Sequence, residues 1–150
     1  MSSLMRCINV TARCATLRRS EQLFPVGLTG GQHTYVLNIC RNPGITQDQL
    51  ARMIYINKSN VARQVAQLEQ AGFIERRVDK QDKRQMLLYP TQKAKDALPA
   101  ISQALKEWND YLNAEFTEEQ RIMLEQMMEK VMNRAKAFID AQPGREGSAK

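Results

Sequence analysis

The sequence has one histidine, His33, and one tryptophan, and only 6% of its residues are aromatic. No Ser-His-Asp set, glycine-rich phosphate loop or pair of carboxylates is visible, so an enzyme is not expected. There are three cysteines, Cys7, Cys14 and Cys40, none of them in a CxxC pair. A tetrahedral zinc site would need all three and His33, which do not stand at ligand spacing, so neither a metal nor another cofactor is expected. No run of about 18 apolar residues is present, which excludes a spanning helix. The first residues, interrupted by Arg6, Asn9 and Arg13, lack the compact apolar stretch of a secretory signal. The expected location is the cytoplasm, with no membrane partner.

What is present points elsewhere. The net charge is +6 over 150 residues, and it is unevenly spread. Residues 57–93 carry eight Lys/Arg against four Asp/Glu, residues 1–56 six against two, and residues 94–141 six against nine. A basic surface in the first two thirds of the chain suits nucleic acid.

The order of elements sharpens this. Apolar residues Leu4, Ile8, Ala12, Ala15 and Leu23 suggest a helix over 4–24, broken by Pro25 and Gly27. A second helix is expected from Thr29 to the Asn42-Pro43-Gly44 break. Thr46 followed by Gln49 is a capping box, with Ile45 and Leu50 at staple spacing, and it opens a short helix to Ile54. After the turn Tyr55-Ile56-Asn57, Asn57 is placed to cap a helix running to Ala71, and Gly72 suits the position just past its end. Ile74–Val78 and Met86–Tyr89 read as two strands around a polar tip, residues 79–85. A long helix with Ala94, Leu98, Ile101, Leu105, Trp108 and Leu112 on one side follows, with a kink expected at Pro99. Thr117 and Gln120 cap a last helix bearing Leu124, Met127, Met128, Val131, Ala135 and Phe138. Residues 142–150 read as a disordered tail.

Helix, tight turn, helix and basic hairpin together form the motif of interest. At 100° per residue with Val61 as zero, Val65 falls at about 40° and Leu68 at about 340°, a buried stripe. Ser59, Asn60, Arg63 and Gln67 fall on the opposite face and Gln64 on its flank. These are the side chains that hydrogen-bond base edges, and no acid interrupts them before Glu69. Thr46, Lys58 and Ser59, at helix starts, suit phosphate contacts. Lys80, Lys83 and Arg84 at the hairpin tip suit the negative potential of a narrow minor groove.

Asp82-Lys83-Arg84, followed by Leu88 and Thr91, resembles the D-x-R…L-T wing signature of the multiple antibiotic resistance regulator (MarR) family. Leu28-Thr29 and the stretch from Leu68 to Ile74 are similar to that family too, and the resemblance runs from about residue 4 to 140. It implies a mainly α fold with a small β-wing: a winged helix-turn-helix over 29–90, flanked by dimerisation helices at 4–24 and 92–140, in one domain of 150 residues. It implies a homodimeric, sequence-specific repressor on a pseudo-palindromic double-stranded operator, released by a small aromatic or phenolic ligand. Arg84 would enter the minor groove, Asp82 would orient the wing, and Ser59, Asn60, Arg63 and Gln64 would face the bases and phosphates. The chain departs from many members in lacking the glycine after the L-T motif, where Lys95 or a neighbour stands.

The family's usual ligand pocket lies where the first, second and fifth helices meet the DNA-binding lobe, which makes His33 and Tyr35 candidate polar groups. Thiol sensing is an alternative, with Cys7 and Cys14 as candidates, but the peroxide sensors' cysteine position falls on Met5 here. Gly30, Gly31, Gln32 and His33 stand where those sensors carry tyrosines. A winged helix that binds protein and no DNA is the remaining alternative, against which Arg63, Arg84 and the acid-free face count.

Overall fold

The computed structural model describes residues 3–144. Its elements are α1 (Leu4–Leu23), a 3-10 turn (Phe24–Val26), α2 (Gln32–Arg41), β1 (Ile45–Thr46), α3 (Gln47–Ile54), α4 (Lys58–Gln70), β2 (Ile74–Val78), β3 (Met86–Pro90), α5 (Gln92–Asn113) and α6 (Glu118–Asp140). The fold is mainly α with a three-stranded antiparallel sheet of order β1-β3-β2. The chain divides after Trp108 into two compact units. No helix among the described residues is long and apolar enough to cross a membrane.

The helix ends follow local chemistry. Ser3 Oγ accepts the Arg6 N–H at 3.2 Å and starts α1. Thr46 and Thr117 each form a complete capping box, with Gln49 and Gln120 respectively. Gly27 and Gly72 end their helical segments at φ 85° and 84°, the left-handed region that an L side chain resists.

One expected boundary needs correction, and three details were not foreseen. The second helix begins at Gln32, not Thr29. The Thr29 N–H instead meets Gln32 Oε1 at 3.0 Å, and the Gly30 N–H meets Ser20 Oγ at 2.8 Å, so residues 29–31 form a lead-in held by α1 and α2. Ile45-Thr46 is a short strand as well as the approach to α3, pairing Ile45 with Leu88 and Thr46 with Leu87. Of the apolar points on α1 only Ala15 and Leu23 are buried, and Leu4 and Ala12 are exposed. α5 runs through Pro99 without a break, and its buried residues are Ala94, Ala97, Ile101 and Ala104, while Leu98, Leu105 and Trp108 are half-buried and Leu112 is exposed.

The core of the first unit holds Leu23 and Leu28 from the α1–α2 region, Val36 and Ile39 from α2, Leu50 from α3, Val61, Val65 and Leu68 from α4, and Phe73, Ile74 and Leu88 at the sheet. Phe73 is the largest side chain fully withdrawn from solvent. The sheet and α2–α4 thus share one apolar centre, which fixes α4 on three buried residues and leaves its opposite face outward. In the second unit, no residue of α6 is buried. Of the expected tail, residues 145–150 lie outside the described residues, and the Gln142 N–H still bonds the Ile139 carbonyl at 3.2 Å.

Candidate nucleic-acid interface

The helix pair is built by its caps and its turn. Thr46 Oγ1 accepts the Gln49 N–H at 3.1 Å, and Gln49 Oε1 accepts the Thr46 N–H at 3.0 Å. The turn after α3 passes through Tyr55 at φ 57°, the one non-glycine residue at positive φ among the described residues. Asn57 then caps α4, its Oδ1 accepting from the Asn60 N–H at 2.8 Å and from the Ser59 hydroxyl at 2.9 Å. With Val61, Val65 and Leu68 buried, Lys58, Ser59, Arg63 and Gln67 stand exposed, and Asn60 and Gln64 are half-buried.

These side chains already hold one another. Arg63 Nη2 donates to Asn60 Oδ1 at 2.7 Å, which limits the guanidinium's freedom before any contact is made. Gln64 Oε1 accepts from Gln32 Nε2, on α2, at 3.2 Å. Lys58, expected at a phosphate, lies 3.2 Å from Asp48, both largely exposed. Such a pair is worth at most about 1 kcal/mol and exchanges readily for another anion. Glu69, the only acid of α4, is gripped by two bonds from Arg76 on β2, at 2.8 and 3.1 Å. Those bonds hold the Glu69 carboxyl below its ordinary range and raise the Arg76 guanidinium.

The wing is a hairpin of β2 and β3 in register from Ile74↔Pro90 to Val78↔Met86. Its tip is shaped by two aspartates that bond the backbone two residues on. Asp79 Oδ1 accepts the Gln81 N–H at 2.9 Å, and Asp82 Oδ1 accepts the Arg84 N–H at 3.1 Å. Arg84 itself is 95% exposed, with only a long ionic approach of 3.9 Å to Asp82. Lys80 and Lys83 are exposed beside it. Along the hairpin, Arg77 of β2 stacks on Tyr89 of β3 with its guanidinium 4.3 Å from the ring centre.

Ten residues, among them Gln32, Tyr35, Asn60, Arg63 and Gln64, line a cleft of about 430 Å³ between the start of α2 and α4. Tyr35 is buried, which raises its phenol pKa, and the Arg63 charge acts the other way. His33 is buried as well but is not among the lining residues. Burial lowers its pKa first and the Arg19 charge second, against a hydrogen bond to the Gly30 backbone carbonyl that raises it. No partner meets its Nδ1. Cys7 and Cys14 are both exposed on α1, and no cysteine is in a disulfide. Among the described residues, no three His, Cys, Asp or Glu side chains gather as a metal would require.

Three features were not anticipated: the Gln32–Gln64 contact, the Glu69–Arg76 clamp and the pairing of β1 with β3. The first joins residues 32 apart in the chain, and the second joins side chains of two successive elements. A faint signal for the third was the apolar Ile45 just ahead of the Thr46 cap.

Comparison with known proteins agrees with this architecture. Residues 26–85 match the family model described as MarR family. The chain is 30% identical over 131 residues to the uncharacterised HTH-type transcriptional regulator YybA of Bacillus subtilis (strain 168), covering 87% of each chain. A SlyA-like transcription regulator from Listeria monocytogenes superposes with a TM-score of 0.88 at 28% identity, covering 99% of both chains. A MarR family regulator from the same organism, crystallised with a 26mer DNA, gives a TM-score of 0.83 at 28% identity with the same coverage. The order of elements, the capped helix pair, the basic wing and these similarities lead to one conclusion: the chain belongs to the MarR family of winged-helix transcriptional regulators.

Proposed function

We propose that the chain is a homodimeric repressor that binds a pseudo-palindromic site in double-stranded DNA, with α4 in the major groove and the wing at the flanking minor groove. The observation that carries this is the outward face of α4. Apart from one acid, its exposed and half-buried polar residues are Lys, Ser, Asn, Arg and Gln; that acid is clamped by Arg76, and Arg84 stands almost fully exposed at the adjoining wing. Donors and acceptors without net negative charge are what a base edge between phosphates accepts.

The second unit supports the dimer. α6 has seven large apolar side chains at least 36% exposed, Ile122, Met123, Leu124, Met127, Met128, Met132 and Phe138. A surface of this kind is covered in use, and a second copy of the chain is the occupant the family supplies. Release by a small aromatic or phenolic ligand is supported by the cleft beside Tyr35, which shares Asn60, Arg63 and Gln64 with the reading face. An occupant there competes with DNA for the same side chains.

The test is a gel shift at low salt on DNA from upstream of the chain's own gene, against random DNA, with mass measured by light scattering. A dimer that prefers the upstream DNA is expected, and a panel of phenolic acids should include one that raises the melting temperature and weakens the shift. No preference over random DNA overturns the regulator reading; a monomer at micromolar concentration overturns the dimer.

A further inference from the structure

The contact between Gln32 and Gln64 has no role in the core, since both side chains lie at its edge, and it bridges two elements of different duty. Gln32 is the first residue of α2, and Gln64 is on the flank of the proposed reading face of α4. Gln32 is itself fixed: its Oε1 accepts the Thr29 N–H at 3.0 Å. That leaves its Nε2 as the only polar end, and this donates to Gln64 Oε1 at 3.2 Å. No other hydrogen bond holds the Gln64 side chain among the described residues.

A free glutamine is ambiguous. Its carboxamide can turn over, presenting either an oxygen that accepts or a nitrogen that donates, and in the bidentate pairing with adenine it uses both. Here the ambiguity is removed, because the oxygen is anchored toward α2 and the NH2 is the end left without a partner. Resting on the DNA-binding reading above, we infer that Gln32 is a positioning residue for base specificity. It holds Gln64 as a hydrogen-bond donor, so that this position of the half-site is read as a base with acceptors on its major-groove edge. Guanine, with N7 and O6, fits best, and thymine, with O4, second. Adenine presents a donor beside its N7, and cytosine presents a donor alone.

The neighbouring side chain follows the same pattern. Asn60 Oδ1 is occupied by Arg63 Nη2, so the free ends of Asn60, Arg63 and Gln64 are all N–H groups. The start of α2 thus acts on base choice without touching a base.

The inference is tested by selecting binding sites from a duplex library of randomised half-sites with the full-length chain. Gln64→Ala locates the base in question as the position whose preference it flattens. Wild type should select guanine or thymine there, by about tenfold over adenine. Gln32→Glu keeps an acceptor for the Thr29 N–H but replaces the donor with a carboxylate oxygen. Gln64 must then turn its NH2 toward α2 and its oxygen outward, and the selected base should change to adenine or cytosine. Gln32→Ala should flatten the preference at that position alone. Melting curves of both variants check that the helix pair is folded. Adenine or cytosine selected by wild type overturns the inference, as does a Gln32→Glu variant, folded and binding, that keeps the wild-type base. If no sequence is enriched by wild type, the DNA-binding reading itself fails, which is a different result from enrichment of the wrong base.

Discussion

Replacing Arg84 by alanine tests the wing without disturbing the fold. The side chain is 95% exposed, and its ionic approach to Asp82 is 3.9 Å, too long and too wet to contribute measurably. The bond that shapes the tip comes from the Arg84 backbone N–H, which alanine retains. The denaturation midpoint should therefore not move. Binding should. In a dimer both wings lose a cation, and at about 0.9 counterions per neutralised phosphate the slope of log K against log salt becomes shallower by about 1.8. Between about 50 and about 200 mM salt, that difference makes the deficit of the variant shrink roughly tenfold. Fluorescence anisotropy with a labelled operator over this salt range measures the deficit directly. Arg84→Lys, which keeps the charge but not the planar fork, should retain the wild-type slope. If Arg84→Ala binds as tightly as wild type with an unchanged slope, the wing does not lie against DNA. If it loses affinity equally at all salt concentrations, the contact is made but is not electrostatic.

Thr46→Ala removes one of the two bonds of the α3 capping box and should cost about 1 kcal/mol in urea denaturation; an unchanged midpoint would show that the cap adds nothing to the folded state. Gly72→Ala should cost a similar amount, about 1 kcal/mol, because φ is 84° while the new methyl would meet only Lys93 Cδ at an ordinary 3.8 Å. A neutral or stabilising result would show that the turn relaxes. His33 has a folded pKa below its unfolded value, because burial and Arg19 oppose its charge. The neutral ring is therefore fully tolerated above about pH 6.5, and stability falls as pH drops from there through the folded pKa. Urea melts from about pH 7.5 down to about pH 5 should show this loss, and His33→Gln should remove that part of it. A slope identical in both proteins would assign the pH dependence to other groups.

What could be read from the chain was whatever rests on neighbours in sequence. The Thr46–Gln49 and Thr117–Gln120 boxes span three residues, and both are formed. Asn57 and Gly72 likewise act within a few residues, and β2 and the start of β3 fall where two strands were expected around a polar tip. The stripe Val61–Val65–Leu68 was legible because 3.6-residue periodicity alone decides which side of α4 is buried. Contacts that need the chain to return on itself were not legible. Gln32 reaches Gln64 across 32 residues, and Arg76 turns back on Glu69 from the next element. Tyr55 at φ 57° carries no mark in the sequence, since glycine or asparagine would be expected there. α6 shows the converse: its apolar periodicity is plain, but periodicity cannot say whether the cover comes from the same chain, and no residue of the helix is buried in this one.

The electrostatics of the reading unit follow from how its acids are used, more than from its excess of bases. From Thr46 to Lys93 there are five acidic residues, Asp48, Glu69, Glu75, Asp79 and Asp82. Asp48 faces Lys58, Glu69 is clamped by Arg76, and Glu75 pairs with Arg77. Asp79 and Asp82 spend their oxygens on backbone N–H groups at the tip of the wing. Each negative charge is thus committed to holding an element in place. Lys80 and Lys83 have no ion pair among the described residues, Arg63 bonds only a neutral amide, and Arg84 is nearly unopposed. Arg63, Lys80, Lys83 and Arg84 thus stand without a close acid on the α4 face and the wing tip, the two places that the proposed complex sets against phosphate. A chain with the same net charge but with Glu69 released from Arg76 would present an acid at the end of its reading helix. The clamp accordingly serves the surface as much as the fold, and it explains how a helix can carry a carboxylate and still offer DNA a face without one.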